Sequence, residues 1–151
     1  MLTSPLQRAA RTCDLAGFSA VAVDRDLVEW NYGDDEGLRT VEIRAKRPDW
    51  QLFRDGCPHG ESPKQVGARA DRVVSRVRPI KGDVLIFSSG HFLRVFAARW
   101  LGLEAAEHLI QSQLFCEPAL GNFVVGLTTM ITHVSASVSL ARLGPMFLVI
   151  Q

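Results

Sequence analysis

The chain has no run of basic residues, no internal repeat, no low-complexity linker and only three cysteines. Each shortage removes a class of function. A dedicated nucleic-acid binder carries a basic excess or stripe, whereas the formal net charge here is +1 and the arginines are scattered, so no nucleic-acid partner is expected. Cys13, Cys57 and Cys116 are odd in number and lack zinc-type spacing, which argues against a disulfide framework or a metal site. A reducing, cytoplasmic setting fits that usage, and no metal or other cofactor is expected. Residues 1–11 lack a charged-then-apolar signal pattern, so secretion is not expected.

What is present suits one globular domain: 151 residues, 47% hydrophobic and 22% charged. Thr3-Ser4-Pro5 offers an N-cap and a first-turn proline for a helix over residues 6–15 that stops near Gly17. Val21-Ala22-Val23 reads as a short buried strand, and residues 29–37 as a loop rich in Asn, Gly and Asp. A helix is expected over residues 38–47, stopped by Pro48, followed by an irregular stretch to Gly60. Ser62-Pro63 then repeats the cap-plus-proline start, and Val66, Val73, Val74 and Val77 mark one apolar face of a helix ending before Pro79. Lys81-Gly82 turns into a strand over residues 83–87, and Phe92, Val95, Phe96 and Leu101 line a last helix that ends at Gly102. Helices alternating with short apolar strands predict an α/β fold, a mainly parallel sheet flanked by helices.

Residues 121–151 behave differently. Arg142 is their only formally charged residue, and Val, Thr, Ser and Leu dominate without a helical or alternating period. A membrane span needs about 20 predominantly apolar residues, and residues 123–141 are diluted by Thr, Ser and His133, so a membrane partner is not expected. The reading is a domain over residues 1–120 with a divergent apolar tail over 121–151.

The sharpest local signal is Asp83-Val84-Leu85-Ile86-Phe87-Ser88-Ser89-Gly90-His91-Phe92-Leu93-Arg94, a buried strand running through a small-residue turn into a helix. It places His91 at a helix N-terminus, where backbone N–H groups and the dipole favour an anion such as phosphate. Ligands of parallel sheets sit beyond the strand C-termini, where this turn falls. A capping or core histidine fits the same position. Arg8, on the first turns of its helix, could grip two phosphate oxygens or simply face solvent. Glu29 stands where a strand gives way to a Gly-containing loop. A carboxyl held protonated there could donate to a leaving alkoxide, and one satisfied by a nearby N–H would be structural. Glu61 and Glu36 are secondary candidates, since one precedes a helix cap and the other a turn glycine. His59, His108 and His133 read as surface, helix-end and tail residues.

Taken in order, Thr3-Ser4-Pro5-Leu6-Gln7-Arg8-Ala9, Glu29-Trp30-Asn31-Tyr32-Gly33-Asp34-Asp35-Glu36-Gly37, Gly60-Glu61-Ser62 and Gly90-His91-Phe92-Leu93-Arg94 resemble successive motifs of the histidine phosphatase superfamily, the phosphoglycerate mutase-like family. The likeness covers about residues 2–108. It implies a phosphoglycerate mutase-like fold and a metal-free phosphatase acting through a phosphohistidine on a small phosphorylated metabolite. Arg8 and His91 would bind the phosphoryl group, with Glu29 as general acid. The Glu29 motif is more similar to the sugar-phosphatase branch, including sedoheptulose bisphosphatase-like proteins, than to glycolytic mutases. The family's nucleophile lies in an N-terminal strand ending in Arg-His-Gly, and no Arg-His-Gly occurs in these 151 residues. The resemblance therefore implies an N-terminally truncated domain, inactive as this chain, whose sheet is left with an unpaired edge. A truncated gene model, a splice form and a non-catalytic phosphate-binding or interaction protein all fit that departure.

Overall fold

Strand β3 (Val84–Ser88) shows how the layers are built. Successive side chains of a strand point to opposite faces. Val84 and Ile86 enter the larger core, while Phe87 and, partly buried, Leu85 enter a smaller cluster with Ala9 and Cys13. Helices α4 (Pro63–Val77) and α5 (Gly90–Leu101) therefore cover one face and α1 (Gln7–Leu15) the other. This is the expected parallel sheet flanked by helices. The computed structural model describes residues 1–105, 123–127, 130–131 and 146–150.

The six-stranded sheet has the order β2-β1-β3-β6-β4-β5, with β1 at Leu2–Thr3, β2 at Ala22–Val23, β4 at Phe123–Leu127, β5 at Met130–Ile131 and β6 at Met146–Ile150. All pairings are parallel except β4 with β5. Leu2 and Thr3 register with Ile86 and Phe87 on one side and with Ala22 and Val23 on the other. The strand exits toward α1, Glu29 and His91 thus lie along one sheet edge. The expected unpaired edge is not found at β3, which has β1 on one flank and β6 on the other.

Helix α4 begins as its sequence predicts. The Ser62 hydroxyl accepts from the Gln65 amide at 3.3 Å, and Gln65 Oε1 accepts from the Ser62 amide at 2.8 Å, with Pro63 in the first turn. Its face of Val66, Ala70, Val73, Val74 and Val77 is buried. Helix α5 is apolar nearly all round and stops at Gly102, whose left-handed backbone caps it. Two short helices, α2 (Thr40–Lys46) and α3 (Leu52–Asp55), lie between β2 and α4.

Several expectations need correction. Helix α1 starts at Gln7 with no side-chain cap, because the Ser4 amide still donates to the Phe87 carbonyl at 2.8 Å and keeps the chain extended. β2 is exposed rather than buried, since it is only two residues long and sits at the sheet edge. The stretch read as irregular contains α3, too short to show a period. Three strands come from the segment read as an apolar tail. Central parallel strands have near-continuous apolar sequences, so the absence of alternation there is uninformative.

Candidate active site

The chain leaving β2 is fastened at several points before it reaches Glu29. Asp24 accepts from the Asp26 amide at 2.9 Å to start a single 3-10 turn, and Leu27 is buried with its carbonyl accepting from the Ser88 hydroxyl at 2.5 Å. Arg69, on the buried face of α4, donates to the carbonyls of Asp26, Val28 and Glu29 at 2.6, 2.8 and 3.3 Å. The same guanidinium forms a two-point pair with Glu61 at 2.9 and 2.8 Å and lies 4.7 Å from the Phe92 ring centroid. A buried arginine of this kind spends all its donors on structure.

Glu29 then turns back onto α5. Its Oε1 accepts from the amides of Trp30 at 2.8 Å and Phe92 at 2.9 Å, and its Oε2 accepts from the His91 amide at 3.3 Å. The helix N-terminus expected to hold phosphate is therefore occupied by the protein's own carboxylate. The His91 and Phe92 amides at that turn are both taken by Glu29.

His91 Nδ1 lies 2.6 Å from the Tyr32 hydroxyl and 4.0 Å from Glu29 Oε2, with the Phe53 ring centroid 5.6 Å from its own. Burial lowers the His91 pKa below its ordinary value and the Arg94 charge adds to this, while Glu29 opposes both. Burial, the Glu29 charge and a hydrogen bond to Glu29 push the Tyr32 hydroxyl well above its usual range. Tyr32 is placed by a close backbone crossing. Gly33 has φ +52°, and a Cβ there would stand 2.2 Å from the Pro58 carbonyl oxygen, so only glycine fits.

A cavity of about 380 Å³ opens beside His91, lined in part by Tyr32, Glu36, Thr40, Arg44, Phe53 and His91. Glu36 thus stands on the cavity wall, exposed. Glu61 is held by Arg69 and accepts from the Asn31 amide at 3.0 Å. Burial pulls its pKa up, but those hydrogen bonds and the Arg69 charge prevail and leave it below the usual carboxylate range. The Arg8 side chain is exposed on α1 and is neither hydrogen-bonded nor ion-paired to any described residue. The structure brings Glu29 and His91 together, leaves Arg8 on the same sheet edge without a contact to them, and gives Glu61 a structural partner.

His59 is exposed and paired with Asp34 at 2.8 Å, while His108 and His133 lie outside the described residues. Among the described residues, no group of three or more His, Cys, Asp or Glu side chains is placed to hold a metal ion, and no helix is long and apolar enough to cross a membrane.

Residues 1–114 match the histidine phosphatase superfamily, branch 1. The chain belongs to this superfamily. It is 43% identical to an acid phosphatase of Mycobacterium tuberculosis over 109 residues, covering 71% of this chain and 54% of that protein. It is 37% identical to the sedoheptulose 1,7-bisphosphatase of Saccharomyces cerevisiae, covering 68% of this chain and 48% of the relative. The solved structure of the Rv3214 protein from Mycobacterium tuberculosis superposes with a TM-score of 0.68 at 44% identity, over 70% of this chain and 56% of that one. The mycobacterial glucosyl-3-phosphoglycerate phosphatase Rv2419c, solved with inorganic phosphate, gives a TM-score of 0.57 at 28% identity over 70% and 60% of the two chains. The chain spans about half the length of the curated relatives it matches.

Two contributors escaped the sequence reading. Tyr32 stood inside a recognised motif without a role, and nothing in one sequence shows that it meets a histidine 59 positions away. Arg69 did leave a signal. It falls three residues after Val66 and four before Val73, a charge on an otherwise apolar helix face, and such a charge must be paired.

Proposed function

We propose that this chain supplies the leaving-group side of a phosphomonoester hydrolase site for a small phosphorylated metabolite. Glu29 is the general acid, Arg8 and His91 meet the phosphoryl group, and the cavity beside His91 takes the organic part. A sugar bisphosphate such as sedoheptulose 1,7-bisphosphate, handled in the cytoplasm, is the finer form of this reading. The observation that carries it is the convergence of Glu29, Tyr32 and His91 at one sheet edge beside the cavity, in a chain of this superfamily. The 151-residue polypeptide itself is inactive in this reading, because attack on phosphorus falls to the histidine of an Arg-His-Gly that it does not contain.

A second reading, a non-catalytic phosphate-binding or interaction protein, is supported by the Glu29 carboxyl, since both of its oxygens accept from backbone amides as a structural cap does. One experiment addresses both. The purified chain is assayed with a sugar bisphosphate and an aryl phosphate, then titrated with inorganic phosphate by NMR. No turnover is expected, with shifts at Gly90 and His91 that Arg8→Ala weakens. Turnover within about a hundredfold of a full-length relative, abolished by His91→Ala, would refute the inactivity. Shifts indifferent to Arg8→Ala would remove Arg8 from the site.

A further inference from the structure

Four arginines stand on residues 39–54, the segment that supplies much of the cavity wall beside His91. Among the described residues, a carboxylate answers three of them, with Arg39 on Glu42 at 3.3 Å, Arg47 on Asp35 at 2.5 Å and Arg54 on Asp55 at 2.7 Å. Arg44 has no such partner among the described residues. It sits exposed on the last turn of α2, and its Nε donates to the Trp50 carbonyl at 3.2 Å. That bond spends one donor of the guanidinium fork and holds the group at the cavity wall, with its terminal amino groups unpaired among the described residues. Arg44 also marks where the cavity continues. A second cavity, of about 580 Å³, shares Arg44, Trp50 and Gln51 with the first but does not include His91.

We propose that Arg44 is the specificity-determining residue of a second oxyanion subsite, which makes the ligand of this cavity a hydroxylated metabolite with an oxyanion at each end, one at His91 and the other on Arg44. The proposal rests on the reading in which His91 meets a phosphoryl group and the cavity takes the organic part. A guanidinium suits the second end because its fork matches two oxygens of one phosphate. The rest of the wall suits what lies between. Asp35 is committed to Arg47, whereas the exposed Glu36 carboxylate makes no hydrogen bond or ion pair with another described residue and, as an acceptor without donors, takes hydroxyl groups. It repels an anion laid against it, which leaves Arg44 as the place for the second charge. A cation on the last turn of a helix also suits the dipole, but lysine fills that role equally, so the fork is the feature to test.

The test is an NMR titration of the chain with sedoheptulose 1,7-bisphosphate, a sedoheptulose monophosphate and inorganic phosphate, read at the His91 ring and at the Arg44 side-chain N–H. The bisphosphate should bind about tenfold more tightly than the monophosphate and move both signals, while inorganic phosphate tests His91 by itself. Arg44→Gln should remove the advantage of the bisphosphate, and Arg44→Lys should keep only part of it, since it retains the charge but not the fork. Lys46→Gln takes the same charge from the same helix outside both cavity walls and should leave the advantage intact. No advantage in the parent chain, an advantage that survives Arg44→Gln, or an equal loss in Lys46→Gln would overturn the proposal. Should Arg44→Gln fail to fold, the parent chain decides, because an Arg44 signal that the bisphosphate does not move overturns the subsite. A His91 signal moved by inorganic phosphate, with no preference for the bisphosphate, would overturn the subsite and leave the reading of His91 standing. A His91 signal indifferent to all three ligands would overturn both.

Discussion

The Glu29 carboxylate closes the N-terminus of the helix that carries His91, with Oε1 2.9 Å from the Phe92 amide nitrogen and Oε2 3.3 Å from that of His91. The residues that the family resemblance casts as acid and phosphate binder are therefore joined as cap and helix. At the site as proposed, a phosphate must compete with a carboxylate for the positive end of α5.

A capping role has a measurable cost. Glu29→Ala removes an acceptor of three amide donors, two of them at the start of α5, and is expected to destabilise the chain by about 1–2 kcal/mol in urea unfolding. Glu29→Gln keeps an acceptor oxygen but loses the charge, so its loss should be smaller. Equal stability of all three proteins would show that the helix start does not depend on this side chain.

Arg69 should be the more damaging site. Arg69→Ala strips Glu61 of its partner and three carbonyls of their donor in a buried setting, and should cost about 3–5 kcal/mol. The pH dependence follows from Glu61. Its pKa is lowered in the folded chain, so the contribution is complete above the ordinary glutamate value of about 4.3 and is lost as pH falls through the folded value. An unfolding series from pH 7 downward should show a steeper acid loss in the parent chain than in Arg69→Met. Parallel curves would mean that the ion pair adds nothing to the acid response.

Thiol chemistry gives an independent reading of the core. Burial, the Asp35 charge and a hydrogen bond to Asp35 push the Cys57 thiol up to about 12, and burial also raises Cys13. At pH 8 neither supplies appreciable thiolate, so iodoacetamide should label both only after denaturation, as read by peptide mass mapping. Rapid labelling of Cys57 in the native chain would contradict its packing beside Asp35.

The sequence disclosed those parts of the fold whose determinants are local. Ser62-Pro63 with Gln65 fixes the start of α4, Gly102 fixes the end of α5, and the apolar run before Ser88 fixes β3, each within a few neighbouring residues. The start of α1 was misread because Ser4 answers to Phe87, far away in the chain. The strands after residue 121 were missed because unbroken apolar runs have no period to detect. The site divides in the same manner. Glu29 and His91 could be named from motifs, but the Tyr32 contact and the clasp of Arg69 on the Glu29 loop exist only once the sheet gathers segments 40 to 60 residues apart.

The two roles of Glu29 separate by leaving group. Supplying the chain with a preceding strand that ends in Arg-His-Gly is expected to create phosphatase activity. In such a protein a sugar alkoxide needs a proton as its P–O bond breaks, whereas a nitrophenolate departs without one. If Glu29 is the general acid, Glu29→Gln should cost on the order of a hundredfold or more on the sugar phosphate and far less on the aryl ester. Phosphorylation of the nucleophile by the aryl ester should survive the substitution. If the carboxylate serves only to cap α5, its loss disturbs His91 equally for every substrate, since the phosphoryl group is common to both. Equal losses on the two substrates would therefore remove the general-acid role from Glu29 and leave Glu36, on the cavity wall, as the carboxyl to test next, because Glu61 is committed to Arg69.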